Sequence, residues 1–264
     1  MPSNTPGSSA RVASRVQMAS RCAGFQSLPR RAQMASRMSR AVPPEATPNS
    51  ETPRMMPGMT VVCSSGDAAR PALALFRMLD NRQSPGMGPL CVTGATGGVG
   101  SLAVDIFSRA GFEVHAVSGK ADQHDYLKAI GASQVHGRDA LATTRPMESA
   151  RFGGGLDNVG GPMLASLLAQ TAPYGNVASA GLAASPDLHT TVMPGIIRGV
   201  SLLGVASGGT ARDIRDAIWA RLGSDWKPRH LDTICTRETG LADLPRVFDA
   251  MLAGGSLGRT LVSL

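Results

Sequence analysis

Between residues 68 and 264 the apolar positions change period repeatedly, from the spacing of a helix to that of a strand and back. Leu73, Phe76 and Leu79 recur at helical spacing and predict a helix from Ala68 to about Arg82, closed by a loop containing Pro85, Gly86, Gly88 and Pro89. The run Leu90, Cys91, Val92 then reads as a strand, residues from about Gly98 as a helix, and Val114 to Val117 as a second strand. Further on, the pattern predicts helices at Asp122 to Ile130, Met163 to Gln170, about Ala211 to Leu222, and Leu244 to Leu252. Strands are predicted at Ser133 to His136, Leu156 to Val159, Asn176 to Ala180, Ser201 to Val205 and Arg259 to Leu264. Strands alternating with helices at this interval predict an α/β fold with a doubly wound parallel sheet.

Residues 1–60 lack this patterning and are rich in Ser, Arg, Met, Ala and Pro. Such a composition predicts a disordered N-terminal arm, with residues 61–264 forming the folded domain. The arm also explains the charge. Eight arginines, Arg11, Arg15, Arg21, Arg30, Arg31, Arg37, Arg40 and Arg54, face only Glu45 and Glu51, so the arm holds +6 of the formal +7. The remainder is near neutral, which argues against a basic groove and against a nucleic-acid partner. Three readings of the arm stay open: an organellar transit peptide, a solvated disordered tail, or a stretch from a wrong start or frame. The default expectation is a cytoplasmic protein, organellar if the first reading holds. No apolar run reaches the roughly 18 residues that span a bilayer, so no membrane partner is expected.

The chemistry concentrates between Leu90 and Lys120. Gly94, Gly97, Gly98 and Gly100 make a glycine-dense turn between strand and helix, and Ala95, Gly97 and Gly100 take the three places of a G-x-G-x-x-G fingerprint. A side chain at Gly97 would hold a pyrophosphate off the backbone, and one at Gly100 would push helix from strand. The helix starting near Gly98 points free N–H groups and its positive dipole end at the phosphates. At the end of the second strand an NAD site normally places Asp or Glu, but here stand Ser118, Gly119 and Lys120. A hydroxyl, a small residue and a cation suit a ribose 2′-phosphate, so the cofactor reading is NADP, with a solvated surface lysine as the plain alternative.

The four cysteines and five histidines show no metal-like spacing, and no metal site is predicted. Thr93, Gly94, Gly98 and Gly100 also spell the short-chain dehydrogenase fingerprint. That chemistry needs Lys four residues after Tyr, whereas Tyr126 and Tyr174 are followed there by Ile130 and Ala178.

Six ordered blocks point elsewhere: VTGATGGVGSLAVDI from Val92, HAVSGK from His115, DYLKAIGAS from Asp125, DNVGGPMLASLLAQ from Asp157, TTVMPGIIRGVSLLGV from Thr190 and GRTLV from Gly258. In these the chain resembles the zinc-independent medium-chain reductases of the quinone oxidoreductase type, in particular the NADPH-dependent acrylyl-CoA reductase group. The resemblance implies a Rossmann cofactor domain in which Thr96, Gly97, Gly98 and Val99 line the pyrophosphate and Ser118 and Lys120 hold the 2′-phosphate. It places Gly181 and Leu182 beside the nicotinamide and Arg259 near the cofactor. Arg138 either flanks the adenine or is an exposed arginine, and Asp157 to Gly160 form the turn under the ribose unless Asp157 simply caps the next helix. No catalytic side chain is assigned.

The implied reaction is hydride transfer to the β-carbon of an enoyl thioester, or to a quinone, by a homodimer paired through an edge with Leu202, Leu203 and Val205. A GroES-like domain precedes the cofactor domain in that family, and nothing before Ala68 has its strand-like alternation. In place of the family's G-T-A-G-[YF]-T-A stand Gly66 to Ala72, without the Tyr or Phe and the Thr. A truncated, weakly active oxidoreductase is therefore expected, with a non-catalytic NADPH-binding module as the alternative.

Overall fold

The computed structural model describes residues 59–60 and 65–263, with side chains from residue 69 onward. The expected arm therefore lies outside the described residues except for Met59–Thr60. Along the chain run β1 (Met59–Thr60), α1 (Ser65–Asp80), β2 (Leu90–Thr93), α2 (Gly98–Arg109), β3 (Val114–Val117), α3 (His124–Ala129) and β4 (Gln134–His136). There follow β5 (Phe152–Asp157), α4 (Gly161–Ala169), β6 (Thr171–Ser179), α5 (Met193–Arg198), β7 (Ser201–Gly204) and α6 (Arg212–Leu222). The chain closes with α7 (Leu231–Ile234), β8 (Arg237–Gly240), α8 (Leu244–Leu252) and β9 (Thr260–Ser263).

Six strands form one parallel sheet in the order β4-β3-β2-β5-β6-β7. Counting from β2, the chain runs outward through β3 and β4, returns to the other side of β2, and runs outward again, which is the doubly wound Rossmann order. Strands buried on both faces need apolar residues at successive positions, and all four residues of β2 and of β3 are buried. Their alternation sorts two cores. Leu90, Val92, Val114 and Ala116 pack with α1, α2 and α6, while Cys91 and Val117 pack with Leu164, Leu167 and Leu168 of α4.

The strand expected at Leu156 begins four residues earlier, at Phe152. The added residues include Gly153, Gly154 and Gly155, where neighbouring strands leave no room for anything larger. A Cβ on Gly154 would lie 2.5 Å from Asn176 O, and one on Gly155 would lie 2.4 Å from Cys91 O. Likewise β6 starts at Thr171, five residues before its expected start, and its register against β5 shifts between Phe152 and Gly154. The shift leaves Tyr174 at φ 62° and exposed.

A second, smaller sheet in the order β1-β9-β8 uses the end of the chain. β9 pairs antiparallel with β1 and parallel with β8, so Thr60 faces Val262 and Thr239 faces Val262 from the other side. Among the described residues no helix is long and apolar enough to cross a membrane.

Candidate dinucleotide site

The carboxyl ends of β2 and β5 lie side by side where the strand order reverses, the place at which open α/β sheets bind ligands. From β2 the chain bends at Gly94, whose φ of 59° suits glycine, and enters α2 with Gly97 as the residue before its first turn. Ala95 N–H donates to Val117 O at 3.1 Å and Gly97 N–H to Gly94 O at 3.0 Å, so the loop is tied both to β3 and to itself. A Cβ on Gly100 would lie 2.3 Å from Gly94 O, which is why the helix closes down on the loop only with glycine there. At Gly97 the nearest protein atom to such a Cβ is Gly94 O at 3.4 Å. The loop's outer side is thus open space, and an approaching ligand could reach the backbone. The first N–H groups of α2, those of Gly98, Val99 and Gly100, have no acceptor within the helix and carry its positive pole.

Arg259 lies against this helix nose. A Cβ built on Gly98 would come 2.5 Å from its Nε and 2.7 Å from its Cζ. Gly258 N–H donates to Thr96 O at 2.9 Å and Arg259 N–H to Ile234 O at 2.7 Å, so the backbone leading into the side chain is bonded at two successive N–H groups. An anionic group placed here would meet a guanidinium and a helix dipole together.

Around the end of β3, Ser118 is buried, and its Oγ lies 3.3 Å from Thr96 Oγ1 and accepts from Lys120 N–H at 3.0 Å. Lys120 extends to the carbonyl of Ser256, just ahead of the bend at Gly258. Arg138, exposed at the first position after the turn out of β4, lays its guanidinium across Gly119, with Nε 2.6 Å from where a Cβ would stand. This contact puts Arg138 beside Ser118 and Lys120.

Asp157 does not face the open cleft. It is fully buried, accepts from Thr93 Oγ1 at 2.7 Å and from Gly160 N–H at 2.7 Å, and so joins β2 to the start of α4. Burial pushes its carboxyl above the ordinary carboxylate range against those hydrogen bonds. Gly181 follows β6 with no space for a Cβ, which would lie 2.4 Å from Asn158 O, and Leu182 beside it is exposed.

The predicted residues therefore fall in three groups: Thr96, Gly97, Gly98, Val99 and Arg259 at the loop, Ser118, Lys120 and Arg138 at the end of β3, and Gly181 with Leu182 beyond β6. Asn158, inside the Asp157 to Gly160 turn that the resemblance puts under the ribose, donates from Nδ2 to Thr93 O at 2.8 Å. Sequence reading missed Arg70 of α1 as a site residue; it donates to Ala180 O at 3.3 Å beside Gly181, in the segment where the family's aromatic and Thr are absent. No periodicity marks it.

Fold and loop define a dinucleotide-binding Rossmann domain. Residues 98–222 match the family described as zinc-binding dehydrogenase. Acrylyl-CoA reductase AcuI of Ruegeria pomeroyi is 40% identical over 194 residues, covering 73% of this chain and 58% of that protein. YhfP of Bacillus subtilis, provisionally named a quinone oxidoreductase, is 41% identical over 195 residues, covering 73% of this chain and 59% of it. The crystal structure of Escherichia coli K-12 YhdH with bound NADPH matches 75% of this chain and 61% of its own at TM-score 0.71 and 40% identity. That of Bacillus subtilis YhfP with NAD bound matches 74% and 60% at TM-score 0.72. The described domain is thus a cofactor domain of the dehydrogenase type that the family model describes, and YhfP and AcuI are its relatives. The chain spans about 59% of the length of the curated relatives it matches.

Proposed function

We propose that the chain binds NADPH across the carboxyl ends of β2, β3 and β6 and serves as the cofactor domain of an oxidoreductase acting on an enoyl thioester or a quinone. The observation that carries the cofactor choice is the meeting of Ser118, Lys120 and Arg138 at the end of β3, where an NAD site would present a carboxylate. The NADPH bound to YhdH supports it, and the NAD bound to YhfP makes the choice a matter for measurement.

The open side of Gly97 and the fixed donors at the nose of α2 fit a dinucleotide bridge. In that role the N–H groups of Gly98 and Val99 hold the pyrophosphate, with the Arg259 guanidinium closing from the β9 side. Thr96 supports Ser118 from beneath, and Lys120 and Arg138 neutralise the 2′-phosphate. Gly181 lets the backbone approach the nicotinamide, and the apolar Leu182 keeps water from its face. When bound, NADPH supplies the hydride, which the group's acrylyl-CoA chemistry delivers to the β-carbon while the α-carbon is protonated. A dry reaction site needs two walls, and the described residues supply one. Nucleotide binding is therefore the activity expected of this domain by itself, with turnover weak.

A homodimer is part of the proposal. β7 is an edge strand of the main sheet among the described residues, Leu202 on it is 46% exposed, and α5 immediately before it exposes Ile196 and Ile197. Titration of the full chain with NADPH and with NADH in a calorimeter tests the cofactor reading. NADPH is expected to bind at least ~10-fold more tightly, about 1.4 kcal/mol. Equal affinity, or no binding of either, would overturn it.

A further inference from the structure

Asp105 lies in the middle of α2 and is fully buried, on a helix whose other inward side chains are apolar or small. A carboxylate taken out of water costs several kcal/mol unless hydrogen bonds replace its hydration. Every hydrogen bond Asp105 accepts comes from one distant segment. Oδ2 accepts from Arg229 N–H and from His230 N–H, each at 2.9 Å, and Oδ1 lies 3.2 Å from both Arg229 N and His230 Nδ1. That segment begins α7, whose last residue, Ile234, donates its N–H to His230 O at 2.8 Å and offers its own carbonyl to Arg259 N–H at 2.7 Å. One residue before Arg259 the chain turns at Gly258, with φ 55° and Ile234 O only 2.1 Å from where a Cβ would stand. Its N–H is spent on Thr96 O of the glycine loop.

α2 thus works as a caliper. Its first turn is the candidate anion site, and seven residues on, about 10 Å along the axis, it grips the segment that returns an arginine to that turn. We propose that Asp105 is a positioning residue for Arg259, holding the guanidinium at the nose of α2 through Arg229, His230 and α7. The role rests on the cofactor reading above. Asn at 105 would keep the volume but turn an N–H₂ group toward N–H donors, so the segment would lose part of its anchor.

A residue that only stabilises the fold would lower the melting temperature without any special relation to Arg259. The test is a double-mutant cycle read by NADPH calorimetry on the full chain, using Asp105→Asn, Arg259→Ala and both together. Asp105→Asn is expected to weaken NADPH ~3- to 10-fold, and the double variant to bind no more weakly than Arg259→Ala alone. The melting temperature is expected to fall in both chains that carry Asp105→Asn. Wild-type affinity in Asp105→Asn, or a double variant weakened by the product of the two single factors, would overturn the role. Should Asp105→Asn fail to fold, the same cycle is run with His230→Ala, whose imidazole is one-third exposed, and the same two outcomes decide. Failure of the unaltered chain to bind NADPH would remove the cofactor reading itself and this role with it, a result distinct from a broken cycle.

Discussion

Ser118 occupies the position at which one oxygen more would change the partner. A carboxylate there would accept from a ribose 2′-hydroxyl and repel a 2′-phosphate. Ser118→Asp is expected to weaken NADPH at least ~10-fold and NADH by less than ~3-fold in calorimetric titration, reversing or erasing the preference between them. The contact of Arg138 with Gly119 was beyond sequence reading, since β4 and β3 are neighbours only in the sheet. His136, on β4, carries a different consequence. Burial, then His115, then Arg151 hold its imidazole below the usual 6.5. His115 lies 3.2 Å from it and in turn 3.0 Å from Glu113. A group with a depressed folded value binds fewer protons when folded than when unfolded, so its contribution is present above pH 6.5 and lost as pH falls through the folded value. Thermal midpoints measured from pH 7.5 to 5 should drop for the natural chain and drop less for His136→Gln.

Elements with strong apolar periodicity were legible in the sequence. α8 has the limits its pattern predicts, and α2 starts at Gly98 as the glycine spacing requires. β5 and β6 were legible only from Leu156 and from Asn176 on, because the signal for a strand is side chains, which Gly153 to Gly155 lack, and β6 shifts register before Asn176. Gly153 to Gly155 are chosen by the closeness of Gly88, Asn176 and Cys91, a requirement that belongs to neighbours distant in sequence. Gly155→Ala is expected to cost about 1–3 kcal/mol, read as a lower midpoint in urea, because Cys91 O and Leu167 must both give way. α5, α7 and β8 escaped for another reason. They have six, four and four residues, too short for a period to register, and tertiary contacts alone define them.

For the molecule as a whole, the doubly wound order could be read from alternation and the last strand with Arg259 near the cofactor from resemblance, but the pairing of that strand with β1 and β8 could not. The chain's end carries β9 to a second sheet and lays Ser256, Gly258 and Arg259 along the cleft, so part of the candidate site is built by residues more than 130 positions after the glycine loop. If two copies join through β7, Leu202→Lys is expected to give a monomer by light scattering and leave NADPH affinity within ~2-fold, since Leu202 is on no wall of the cleft. The same edge has a cost outside any specific pairing. A row of main-chain donors and acceptors flanked by bare Leu and Ile accepts a wrong strand as readily as a right one. Crowded, newly made or half-melted copies would then clump, and the lysine that separates a proper pair should also raise the yield of soluble material.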